Sequence, residues 1–78
     1  MATKIPADER FLTVTSSSNL DSFYYDGASL WVRFLLSDKT YEYEGVPQEE
    51  FLNLVVAPSR GEYLARVIKP GYKVVAHG

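Results

Sequence analysis

The sequence predicts an α+β fold: a three-stranded antiparallel β-meander followed by two helices packed on one of its faces. Three observations carry this expectation. Residues 20–44 fall into three β-rich runs of alternating polarity, cut by turn chemistry. Residues 47–69 then change to helical spacing, interrupted at Ala57-Pro58. And 78 residues at 46% hydrophobic content supply one small core, hence one domain.

Met1 to Arg10 is polar and expected to be loose. Phe11-Leu12-Thr13-Val14-Thr15 is β-prone and reads as an extra edge strand, with Ser16 to Asn19 as a loop. Leu20 to Asp26 is the first strand of the meander. Its turn uses either Asp26-Gly27 or Gly27-Ala28, and both keep the same faces. Leu30 to Leu36 is the second strand and Thr40 to Glu44 the third. A two-residue loop at Asp38-Lys39 sets Leu36 against Tyr41, Phe34 against Tyr43 and Arg33 against Glu44. Period-two alternation puts Phe23, Tyr25, Val32, Phe34, Tyr41 and Tyr43 on one face. Tyr24, Trp31, Arg33, Leu35, Glu42 and Glu44 fall on the other. Pro47 suits the first turn of a helix carrying Phe51, Leu54 and Val55. Ser59-x-x-Glu62 is a capping box for a second helix with Tyr63, Leu64, Val67 and Ile68, stopped by Pro70-Gly71. Tyr72 to Val75 has the composition of a last short strand. The paired tyrosines are expected to look inward at the helices.

Composition narrows the function. With no cysteine there is neither a disulfide framework nor a thiolate metal site, which fits a reducing compartment. No signal-like segment and no spanning apolar run is present, so the expected setting is cytoplasmic, with no membrane partner. A net charge of −2 argues against a dedicated nucleic-acid binder. The charge is uneven, however: residues 57–78 hold Arg60, Arg66, Lys69 and Lys73 against Glu62 alone. The single histidine, His77, reads as a solvated tail residue. The Glu42/Glu44 and Glu49-Glu50 pairs read as an exposed strand face and a solvated helix start. No glycine-rich phosphate loop is present. The expectation is therefore no enzyme, no cofactor and no metal.

Ser17-Ser18-x-Leu20, Tyr25-Asp26, Leu30-x-Val32-x-Phe34, Tyr41-x-Tyr43, Val46-Pro47, Ala57-x-Ser59-x-Gly61 and Ile68…Tyr72, in that order and spacing, resemble the KTSC family. That family takes its name from a C-terminal extension of some lysyl-tRNA synthetases and also occurs as small stand-alone proteins. The resemblance runs from Ser17 to Val75. It implies a single KTSC-like domain over residues 17–76, preceded by a partly loose extension over residues 1–16. Through the synthetase association it also implies RNA binding. Tyr24 stands where a small residue is usual in the family, and Ser37-Asp38-Lys39 lacks the usual turn glycine.

The candidate binding residues lie in two sets. Tyr24, Trp31, Arg33 and Leu35 share the face without helices, and an exposed aromatic patch normally has a partner or a cover. Trp, Tyr and Arg are typical anchors of protein interfaces. The same residues would stack single-stranded bases, with Arg60, Arg66, Lys69 and Lys73 on the phosphates. The cover, if there is one, is Phe11, Leu12 and Val14, or Val74 and Val75. The preferred expectation is a non-catalytic interaction module with a protein partner. The alternative is an accessory domain for RNA or single-stranded nucleic acid.

Overall fold

Five antiparallel strands lie in sequence order across one sheet: β1 Leu12–Thr13, β2 Leu20–Tyr25, β3 Ser29–Phe34, β4 Thr40–Glu44 and β5 Val74–His77. Between β4 and β5 the chain makes two helical segments. The computed structural model describes residues 5–13 and 20–77. The meander thus gains one strand at each end. The expected loop at Ser16–Asn19, Val14 and Thr15 of the expected edge strand, and residues 1–4 of the N-terminal extension lie outside the described residues.

Turn chemistry sets the register. Asp26 N–H donates to the Ser29 carbonyl at 3.1 Å, so Gly27-Ala28 is the loop, and Gly27 takes φ +97°. Glycine enters that left-handed region at little cost. Phe23 therefore opposes Val32, and Tyr25 opposes Leu30. Between Leu20 and Ser22 the pairing slips by one residue, as at a bulge. Without that extra residue Leu20 would point to the other face. With it, Leu20 is fully buried in the core.

The β3–β4 register differs from the expected one. Val32 opposes Tyr41, Leu30 opposes Tyr43, and Arg33 opposes Thr40 instead of Glu44. The strand ends at Phe34, and residues 35–39 form the connection. The displacement is even, so the faces survive although the partners change. The reason is burial: the longer loop brings Leu30 and Val32 opposite the two tyrosines and leaves Leu35 and Leu36 outside.

Helix α1 spans Gln48–Val56, with Pro47 at the N-cap rather than inside the first turn. The Pro47 carbonyl accepts from Glu50 N and Phe51 N at 3.0 and 3.2 Å. The second helical segment, α2, begins with Arg60–Tyr63, widens to a π turn over Leu64–Ile68 and closes with Lys69–Gly71. Ser59 caps it, accepting from Glu62 N at 3.3 Å. Pro70 donates no hydrogen bond, and its ring would press on a carbonyl one turn back; the wider turn accommodates it. The π turn also shifts the phase of the apolar stripe. Leu64 and Ile68 are buried, while Val67, expected in the core, is exposed.

The core lies between the sheet and these helices: Leu20, Phe23, Leu30, Val32, Tyr43, Val46, Leu54, Leu64 and Ile68. Tyr43 is 1% exposed, and Tyr41 packs half-buried beside it. The paired tyrosines look inward. Phe51 stacks on Tyr25 at 4.7 Å between centroids and meets Phe23 edge-on at 6.0 Å.

Candidate functional site

On the face away from the helices, antiparallel pairing aligns Tyr24, Trp31, Glu42 and Val75 in one row. Ser22, Arg33, Thr40 and His77 form the next. The expected open patch is closed there. Trp31 is only 1% exposed. His77 lies over its indole, with centroids 5.2 Å apart. Phe11 comes in from the N-terminal segment, its ring 6.1 Å from Tyr24 and 4.0 Å under the Arg33 guanidinium. The cover is thus supplied from both ends of the chain. Tyr24 and Arg33 are half-buried, and Leu35 is exposed in the β3–β4 loop, apart from them.

Beneath that cover runs a polar network that sequence periodicity does not announce. Trp31 Nε1 donates to Asp26 Oδ2 at 2.9 Å. Asp26 Oδ1 accepts from Ala28 N and Ser29 N at 2.8 and 2.6 Å, fixing the β2–β3 turn. Glu42, expected on an exposed face, is 2% exposed. One of its oxygens accepts from Ser29 Oγ at 2.7 Å, and the other sits 3.1 Å from His77 Nε2. A buried carboxylate needs such partners. His77 is therefore a partner of Glu42 and a lid on Trp31, not a solvated tail. Ser29 does not have the geometry of an activated nucleophile, since its hydroxyl donates to the carboxylate and the imidazole lies on that carboxylate's other side. The one advance signal is Glu42 itself, a charge on the same strand face as a tryptophan.

The basic residues do not assemble with the aromatic row. Arg60 is half-buried at the start of α2. Arg66 is exposed, pairs with Glu62 at 3.4 Å and lines a small notch at the start of α2 with Pro58 and Tyr63. Lys69 and Lys73 are exposed near the end of α2 and the start of β5.

Lys69 instead lines a groove of about 350 Å³ on the helix side, with Phe34, Leu36, Ser37, Tyr41, Tyr43 and Val74. Phe34 and Tyr41 meet edge-on at 5.5 Å in its wall. Ser37 N–H donates to the Phe34 carbonyl at 3.2 Å, and Ser37 Oγ accepts from Lys39 N at 3.2 Å. The loop so folded holds Leu36 at 101% exposure on the rim. Val74, 45% exposed, forms part of the same lining.

Glu50 ties α1 to α2 and to the approach to β5: its carboxylate accepts from the Tyr63 hydroxyl and, at 3.2 Å, from the Tyr72 hydroxyl. The Tyr63 phenol is held above its ordinary value near 10 first by that hydrogen bond. Tyr72 is raised first by desolvation and then by the same carboxylate. Burial, followed by the charge at Tyr41, raises Tyr43. Among the described residues no group of three or more histidine or acidic side chains is placed to hold a metal ion. Among them too, no helix is long and apolar enough to cross a membrane.

The profile of the KTSC domain matches residues 16–72. A solved KTSC domain protein from Yersinia pestis is similar to the chain at 31% identity and a TM-score of 0.79, covering 87% of this chain and 96% of that one. No curated protein matches the chain significantly.

Proposed function

The chain belongs to the KTSC domain family, and from that premise we propose that it is a small non-catalytic module whose groove takes an acidic, apolar segment of a partner protein. One observation carries the reading: Leu36, wholly exposed, stands on the rim of the groove that Phe34, Tyr41 and Val74 line and Lys69 flanks. A leucine held in water by a hydrogen-bonded loop has no folding role there, whereas an apolar side chain beside an aromatic wall is what a docked segment needs. Lys69 on the groove supplies complementary charge for an acidic ligand. The lack of cysteine supports a cytoplasmic setting. Nothing favours base stacking on the far face, because Trp31 is beneath His77.

Fluorescence anisotropy with acidic peptides bearing leucine or phenylalanine tests this, with basic peptides and oligo(U) RNA run in parallel. The acidic apolar peptides are expected to bind. Leu36→Glu should weaken them about tenfold, or about 1.4 kcal/mol, with an unchanged melting temperature. Equal binding to the variant, or saturable binding of the RNA alone, overturns the reading.

A further inference from the structure

Among the described residues no strand pairs with the outer edge of β5, and its backbone is arranged to receive a particular strand. Glu44 N–H donates to the Lys73 carbonyl at 2.9 Å, and these two residues lie in register with the Tyr43–Val74 pair. In an antiparallel ladder, hydrogen-bonded and non-hydrogen-bonded pairs alternate. Val75 and His77 therefore turn their backbone groups toward β4. Val74 and Ala76 turn theirs, N–H and C=O alike, away from the sheet. Val74 and Ala76 are exposed.

Native sheet edges are normally blunted by a lysine, a proline or a bulge. Residues 74–77, Val-Val-Ala-His, hold none of these, and their pairing with β4 runs without a register shift. The outward groups of Val74 and Ala76 are also disposed evenly about Val75. Rotated by a two-fold axis through the midpoint between two Val75 residues, the same segment is its own complement.

We propose that β5 is a self-association edge on which β5 of a second copy of this chain pairs antiparallel, Val75 against Val75. Val74 then exchanges both backbone hydrogen bonds with Ala76 across the axis, and the two sheets run on as one with all helices on the same side. Side chains fit the same register. Two β-branched valines meet at a non-hydrogen-bonded position, where cross-strand contact is closest. Lys73 falls opposite the partner's His77, which in each copy carries the Glu42 carboxylate at 3.1 Å. That places a cation beside a carboxylate–imidazole pair. A contact of this size makes a weak, concentration-dependent dimer. It uses the backbone of residues 74 and 76, so it stands independently of the groove and its ligand.

Sedimentation equilibrium from about 10 µM to about 1 mM reads it directly. The wild type should pass from monomer toward dimer over that span, and the Val74 and Ala76 amides should exchange more slowly as concentration rises. Ala76→Pro removes an outward N–H and no bond to β4, so it should melt with the wild type and remain monomeric. Ala76→Lys keeps the N–H, places a charge on the edge and should weaken the dimer at least tenfold even if the proline variant folds poorly. A wild type that stays monomeric throughout overturns the proposal. So does a dimer that both variants leave intact.

Discussion

Removing the Trp31 indole opens a hole under His77 and takes from Asp26 the donor that holds its second oxygen. Trp31→Ala is therefore a core truncation, expected to cost about 3–5 kcal/mol. Against a stability of about 5–15 kcal/mol, the melting temperature should fall by tens of degrees. A melt within a few degrees of wild type would show that the indole is not sealed. The Trp31 face is legible from strand alternation; its burial is not. Alternation places a side chain on one side of a sheet but does not say what comes to lie there. Here the cover comes from Phe11, one of the covers that the β-prone N-terminal run offers, and from His77 at the other end of the chain, which reads from sequence as a solvated tail residue. Contacts of that sequence separation leave no periodic trace. The burial of Glu42 escapes the pattern for the same reason, its partners Ser29 and His77 being 13 and 35 residues away. Tyr43 is legible because a hydrophobic alternation and a following apolar helix suffice to put it inward.

At the level of elements, local chemistry predicts ends better than lengths. Ser59 caps its helix as the Ser-x-x-Glu pattern requires. Ser59→Ala should cost about 1 kcal/mol, read as a lower denaturant midpoint at unchanged m-value. An unaltered midpoint would mean the cap contributes nothing. Pro70-Gly71 ends the helix as expected, and the turn before it also widens, since a π turn spreads carbonyls that the ring would otherwise meet. That widening cannot be read in advance, because helical spacing assumes one constant pitch. The same assumption puts Val67 in the expected core. The β3–β4 register moves by an even step because Ser37-Asp38-Lys39 fits either a tight or a longer loop, and only the burial of Leu30 opposite Tyr43 decides between them. Both terminal strands are legible as β-prone, but their pairing, which closes the far face, is not.

Across the whole molecule, the two helical segments and the approach to β5 converge on one carboxylate. Glu50 on α1 accepts from Tyr63 within α2 and from Tyr72 just after it. Both phenols are raised above their ordinary value, and Tyr43 is raised too by its burial. A phenol whose folded pKa exceeds its unfolded value binds its proton more tightly when folded. The stability this gives is complete below about pH 10, the unfolded value, and is lost as pH climbs through the folded one. The melting temperature should therefore hold through neutrality and fall above about pH 10. The Glu50 carboxylate is the first cause of the rise at Tyr63 and comes after desolvation at Tyr72, so Glu50→Gln should flatten part of that alkaline decline and leave the parts due to burial of Tyr72 and Tyr43. Tyrosinate absorbance should begin to rise at lower pH in the variant. If wild type and Glu50→Gln lose stability with the same slope above about pH 10, the Glu50 carboxylate is not what raises the Tyr63 phenol, and desolvation alone accounts for the alkaline decline.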